Sequence, residues 1–158
     1  MNRAEKKGEN GSLIIRRAEE EDIRPIAMLE TVCFSDPWSE DSVRYDVMEN
    51  KLSFYLVAET EGRVAGYMGI WNIMDEGHIT NVAVAPEYRR RHIASAMIEV
   101  MLEVTGESGI KRHTLEVRAG NAKAISLYEK YGFEIKAVRP GYYQDNGENA
   151  FIMWRESV

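Results

Sequence analysis

A chain of 158 residues with 44% hydrophobic and 29% charged residues has the size and composition of one globular domain with a core of its own. Its net charge of −6 argues against a general nucleic-acid-binding surface and suits encounter with a basic peptide or protein. A single cysteine, Cys33, excludes an internal disulfide, and the histidines at 78, 92 and 113 have no metal-ligand spacing with it or with one another, so no metal is expected.

In chain order, residues 1–12 are rich in Lys, Glu, Gly and Asn without an apolar run. They read as a frayed, disordered tail rather than a signal peptide, which leaves one domain over residues 13–158, no membrane span and a cytoplasmic location. Leu13 to Arg17 is a short strand. Glu19, Glu20, Glu21 and Asp22 then open a helix carrying Ile23, Ile26, Ala27 and Leu29 at helical spacing, with Cys33 read as core packing. Pro37 interrupts the chain, and Ser39 caps a second helix with Val43, Val47 and Met48 on its stripe. Phe54 to Ala58 and Val64 to Trp71 are strands joined by a turn at Glu61-Gly62-Arg63, and His78 to Val84 is a third. Asp75, Glu76 and His78 form a polar cluster at a hairpin tip.

After Pro86 a basic turn, Tyr88-Arg89-Arg90-Arg91, leads into a helix with Ile93, Ala94, Met97, Ile98, Met101 and Leu102 at helical spacing up to Gly106. His113 to Val117 is a strand, Asn121 to Tyr131 a helix stopped by Gly132, and Phe133 to Val138 and Ala150 to Trp154 are further strands. The order implies an α/β (α+β) fold with a mixed, largely antiparallel sheet of about seven strands flanked by about four helices.

Two segments carry chemistry. A basic turn between a strand and a helix N-terminus is either a solvated turn or an anion site, because free backbone N–H groups and the helix dipole favour a phosphate there. Glu116 stands inside an apolar strand run, where it either points from the solvent face of the sheet or is desolvated, with a raised pKa, as a general base. Asn121 is a good helix N-cap, and Tyr128, seven residues on, shares its helix face.

Taken jointly, the segments Asp36-Pro37-Trp38-Ser39, Asn81 to Ala94, Leu115-Glu116-Val117-Arg118 with Asn121 and Leu127-Tyr128 to Gly132-Phe133, and Tyr142-Tyr143 with Asn146-Gly147-Glu148 carry a resemblance. From about Leu13 to Trp154 the chain resembles the GNAT superfamily of acetyltransferases and, within it, the RimI family of ribosomal-protein-alanine N-acetyltransferases. The resemblance implies acetyl-CoA as cosubstrate, with the backbone of Val82, Ala83 and Val84 binding its pantetheine arm like an added strand. Arg89, Arg90, Arg91, His92, Ile93 and Ala94 match the pyrophosphate turn, Asn121 a cofactor-contacting asparagine, Glu116 the general base and Tyr128 the general acid.

The family pattern has glycine at the position of His92, so His92 must either take the backbone shape of a glycine or point outward, and cofactor affinity depends on which. Trp38, Tyr142 and Tyr143 are candidate walls of a peptide groove, with edge-of-core packing as their alternative, and the turn-rich segment from Pro140 to Gly147 is flexible enough to lie over a substrate. The implied acceptor is a basic protein N-terminus, the N-terminal alanine of small-subunit ribosomal protein eighteen, with no direct nucleic-acid partner. A lysine side chain or small amine is the alternative acceptor, and a non-catalytic cofactor-sensing module the alternative from another class.

Overall fold

In the computed structural model, which describes residues 3–5 and 13–156, eight strands form one sheet in the order β1-β2-β3-β4-β5-β6-β8-β7. Strands β2 (Ile14–Arg17), β3 (Ser53–Thr60), β4 (Arg63–Ile73) and β5 (Glu76–Val84) pair antiparallel in succession. Three residues of the expected tail, Arg3–Glu5, add a short strand β1 outside β2; the rest of residues 1–12 lies outside the described residues. The β3–β4 hairpin closes as its sequence suggests. Glu61 and Gly62 both take positive φ, 54° and 73°, the pairing that matches the twist of the flanking strands.

Helix α1 (Ile23–Cys33) buries Ile23, Ile26 and Leu29 and is entered through a capping box in which the side chains of Glu19 and Asp22 accept each other's backbone N–H. The guanidinium of Arg16 grips Asp22 at 2.7 and 2.9 Å, fixing the helix entry to β2. Ser39 caps α2 (Glu40–Arg44), its hydroxyl oxygen accepting from Ser42 N–H at 3.1 Å, and the helix widens into a π turn over Tyr45–Glu49. Helix α3 (Ile93–Glu107) follows β5, and β6 (Arg112–Arg118), α4 (Ala122–Lys130), β7 (Glu134–Arg139) and β8 (Ala150–Glu156) complete the chain. Tyr67 of β4 meets Glu30 of α1, whereas a Cβ at the adjacent Gly66 would lie 3.2 Å from Met97 of α3. Helices α1 and α3 therefore cover opposite faces of the sheet.

Two irregularities place the site. At the β4–β5 pair, Gly69 faces Asn81 while Ile70 faces Ile79, so Thr80 is an extra residue that re-phases the strand. As a result His78 and Asn81, three apart in sequence, both project to the α1 side. Gly69 is required at the bulge, since a Cβ there would stand 2.8 Å from both the Tyr55 ring and Thr80 Oγ1. The second irregularity is the parallel β5–β6 pair, which consists only of Glu76 with Arg112, Gly77 with His113 and His78 with Thr114. Beyond His78 the two strands part.

His113 on β6 is 0% exposed, and its Nε2 lies 2.8 Å from Thr105 Oγ1. That hydroxyl gives its only proton to Met101 O at 2.6 Å, so the imidazole donates from Nε2, and Nδ1 has no partner among the described residues. Burial, with Arg155 adding to it, lowers the His113 pKa from 6.5 to about 4. The unfolded chain binds this proton below pH 6.5 and the folded chain does not until about pH 4. Stability is therefore complete above 6.5 and is expected to fall by about 3 kcal/mol between 6.5 and 4. Denaturant titrations at stepped pH check this, with a His113→Gln variant expected to flatten the slope in that window.

Candidate active site

The parting of β5 and β6 leaves an edge inside the sheet. Val82, Ala83 and Val84 pair with Met68, Tyr67 and Gly66 of β4, while among the described residues no strand pairs with them on the other side. An extended ligand arm with amide groups fits such an edge as an added strand fits any sheet. The chain then turns through Pro86–Tyr88 to α3, whose N-cap His92 offers no side-chain hydrogen bond, so the first N–H groups of α3 remain open for an anion.

His92 meets both conditions set by the sequence: it adopts φ 59° and ψ 25°, the left-handed region, and it is exposed. Arg90 is left-handed too, at φ 66°. The three arginines divide. Arg89 Nε donates to Val84 O at 3.1 Å, and its Nη2 lies 3.7 Å from Cys33 Sγ; the Arg91 guanidinium stacks on the Tyr88 ring at 5.2 Å. Arg90 makes no such contact among the described residues. Ile93 is buried, which leaves its backbone N–H as the group it presents to the turn. A non-glycine residue held left-handed stores about 1 kcal/mol. His92→Gly is thus expected to raise the Tm of the ligand-free protein by roughly 2–4 °C in a thermal melt.

Glu116 lies on the sheet face shared with Thr114 and Arg118, and its side chain is 34% exposed. Of the two readings the sequence left open for Glu116, the fold provides the solvent-facing one, because alternation along β6 turns Leu115 and Val117 inward and Glu116 outward. It is held instead by polar neighbours. The Tyr142 phenol stands close enough for the carboxylate to raise its pKa, and Arg139 Nε stands 3.9 Å away. Tyr128 on α4 is 8% exposed and packs edge-on against Phe133 at 5.7 Å. Burial, with Tyr143 adding to it, pushes its pKa up to about 12, and its hydroxyl has no hydrogen-bond partner among the described residues. It is a protonated phenol with a free proton to give. Tyr143 lies within electrostatic reach of both Glu116 and Tyr128. Asn121 Oδ1 caps α4 by accepting from Ala124 N–H at 3.2 Å.

The segment from Pro140 to Gly147 is anchored rather than loose. Arg118 stacks on the Tyr143 ring at 3.9 Å and bridges Asp145 at 2.9 Å and Glu148 at 3.3 Å. Glu148 in turn accepts from Gly120 N–H at 2.7 Å, and the Ser35 hydroxyl donates to Asp145 at 2.7 Å, tying this segment to the loop after α1. Among the described residues no cluster of three or more His, Cys, Asp or Glu side chains could hold a metal ion, and no helix is long and apolar enough to cross a membrane.

The sequence model described as the acetyltransferase (GNAT) family matches residues 22–133. The chain is a GNAT acetyltransferase. A Bacillus subtilis protein provisionally named a ribosomal protein bS18-alanine N-acetyltransferase is 41% identical to it over 140 residues, 89% of this chain and 93% of the relative. The Escherichia coli K12 enzyme of that name is 36% identical over 119 residues, 74% of this chain and 79% of the relative. The crystal structure of the ribosomal-protein-S18-alanine N-acetyltransferase from Escherichia coli superposes with a TM-score of 0.86 at 30% identity, covering 92% of this chain and 95% of that one. Ard1 from Thermoplasma volcanium gives 0.82 at 28% identity, covering 93% and 99%. The NatC complex bound to Gag peptide and CoA shares the fold, with a TM-score of 0.80 at 23% identity over 93% of this chain and 99% of that one.

The acetyltransferase also contains a polar network that sequence reading missed. Glu30 on α1 is 1% exposed and accepts from the Tyr67 hydroxyl, from Asn81 Nδ2 at 2.9 Å and from the backbone N–H of Trp38 at 2.8 Å. Asn81 also donates to the Tyr67 hydroxyl at 2.8 Å, and burial and Glu30 together lift the Tyr67 pKa far above the usual phenol range. Glu30 thereby joins the loop bearing Trp38 to the strand bearing Val82. The signal was present: Glu30 sits four residues after Ile26 and seven after Ile23, on the apolar stripe, where a charge is retained only if it is satisfied.

Proposed function

We propose that this acetyltransferase moves the acetyl group of acetyl-CoA to the α-amine of an N-terminal alanine, that of ribosomal protein bS18, by direct attack of the amine on the thioester. The observation that carries the reading is the open β5 edge ending at an uncapped helix N-terminus, beside a carboxylate and a protonated phenol. The bS18-alanine enzymes similar to this chain over most of its length supply the acceptor.

The residues present fit the cosubstrate. The backbone of Val82 to Val84 would hold the amide-bearing arm, and the open N–H groups from His92 to Ala94, with Arg90, would hold the phosphates. Asn121 sits at the start of α4, in the connection between Glu116 on β6 and Tyr128 on α4. An α-amine has a pKa of about 8 and must shed a proton to attack. Glu116, on the solvent-facing side of β6 and close to Tyr142, takes that proton directly or through one water. As the C–N bond forms and the C–S bond breaks, the departing thiolate, whose simple-thiol pKa is roughly 8.5, takes the proton of Tyr128, and the acylated nitrogen gives up its second proton, which returns to the Tyr128 phenolate through solvent. Glu116 passes the first proton to solvent, so each acetyl transfer releases one proton. An acyl-enzyme on Cys33 is disfavoured, since burial raises its thiol and depletes the thiolate.

Intact-mass analysis of an alanine-started basic peptide incubated with protein and acetyl-CoA, beside the same peptide with a blocked α-amine, tests the reading. One acetyl added only to the free peptide supports it. Addition to both peptides would point to a lysine side chain, and addition to neither would move the acceptor to a small amine.

A further inference from the structure

We propose that the cavity between α2 and β4 is the subsite for a cationic side chain at the second or third residue of the acceptor peptide, a proposal that rests on the peptide acceptor argued above. The cavity, of about 700 Å³, is walled by Trp38, Trp71 and Tyr45 and carries two carboxylates, Asp41 and Asp46, with no Lys, Arg or His in its lining. The two indoles lie 6.4 Å apart, tilted by 32°, and the amide hydrogen bond from Trp38 to Glu30 fixes that wall in place.

The charge of the cavity is uncompensated. Asp46 is 5% exposed, and its donors are all neutral: the Tyr55 hydroxyl at 2.9 Å, Trp71 Nε1 at 3.2 Å and Asn50 Nδ2 at 3.0 Å. Three neutral donors hold the carboxylate in position without cancelling its charge. Asp41 has no side-chain partner among the described residues, while the nearby Arg24 and Arg44 pair away from the cavity with Glu40 and Glu20. Aromatic faces next to unpaired carboxylates attract a guanidinium or ammonium and offer little to a neutral polar group.

Register supplies the distance. Trp71 pairs with His78, and His78 with Thr114, so Thr114 stands two strands from Trp71; Glu116 lies two residues further on the same face. With strands about 4.8 Å apart and a rise of about 3.3 Å per residue, a regular sheet would put the Cα atoms of Trp71 and Glu116 about 12 Å apart, and the parting of β5 and β6 beyond His78 makes that a lower bound. An extended peptide whose α-amine is at Glu116 advances about 3.5 Å per residue, which brings the long side chain of residue two or three to the indoles.

The test compares an alanine-started peptide carrying Arg at positions two and three with one carrying Met at both. The basic peptide is expected to show a kcat/KM about tenfold higher, mostly through KM, and Asp41→Lys, on an exposed position, is expected to abolish the preference while lowering the melting temperature by only about 2–4 °C, the cost of a cation in the first turn of α2. In parallel, tryptophan fluorescence is titrated with the same two peptides blocked at the α-amine, which cannot be acetylated. A saturable response to the blocked basic peptide alone, lost in Asp41→Lys, supports the subsite even where no peptide is turned over, in which case the acceptor reading alone fails. Equal rates for both peptides, equal fluorescence responses where there is no turnover, or a preference untouched by Asp41→Lys overturns it.

Discussion

Glu116→Gln is expected to lower kcat by about 10²–10⁴-fold while leaving acetyl-CoA affinity nearly unchanged. Glutamine keeps an oxygen that can accept the Tyr142 hydroxyl and has almost the same volume, so the change removes the capacity to take a proton and little else. The pH dependence discriminates. At neutral pH most of an α-amine with a pKa of about 8 is protonated and needs the base; above pH 9 most of it is already neutral. The ratio of wild-type to variant rate should therefore shrink as pH rises through 8 to 9. Steady-state kinetics across that range, with acetyl-CoA binding measured separately, provide the check. A defect of constant size at every pH would remove Glu116 from the role of base and leave it as a support for Tyr142.

The largest stability effect is expected at Glu30. Glu30→Ala strips the acceptor from the Tyr67 hydroxyl, the Asn81 amide and the Trp38 N–H in a region where Glu30 itself is 1% exposed. Each orphaned donor costs about 1–3 kcal/mol, partly relieved because Asn81 still reaches the Tyr67 oxygen, and the total should be about 4 kcal/mol. For a chain of this size that lowers the Tm by roughly 10 °C. Glu30→Gln retains one acceptor and should lose less than half as much. Urea denaturation of the three proteins measures both, and a loss below about 1 kcal/mol for the alanine variant would show that the network contributes little.

Much of the fold is legible in the chain because it is built from local signals. The apolar stripe Ile23, Ile26, Leu29, the Ser39 cap, the Glu61-Gly62 turn and the glycine stop at 132 each act over a few residues, and each element formed where its signal stood. The site residues on those elements were legible as types at positions: the turn before α3, Glu116 on β6, Tyr128 on α4. What could not be read was set by pairing across the sheet. Alternation in β5 does not announce the extra residue at Thr80, so nothing in the sequence says that Asn81 turns toward Glu30. The exposure of Glu116 was likewise open, because an acid flanked by Leu115 and Val117 fits a strand covered on one face as well as one covered on both. The anchoring of the segment around Tyr143 depends on Arg118, whose partners lie 27 to 30 residues away. The strand at Arg3–Glu5 has no apolar pattern of its own and exists as an addition to β2.

The short β5–β6 seam has a consequence for how the domain folds and opens. Strands β3, β4 and β5 follow one another through tight turns, so the core of that half assembles locally, with β2 added across α1 and α2. The half made of β6, β7 and β8 joins it through only three residue pairs, with the whole of α3 between the paired strands, so few rungs offset the cost of closing that loop. Docking of the two halves should then be the slow step of folding, and their parting the lowest-energy sub-global opening, visible as early amide exchange in β6 ahead of β3 and β4. A ligand arm lying along Val82 to Val84 adds rungs at the very place where the rungs run out. Saturation with it should slow that opening first, so that the two halves exchange as one cooperative unit.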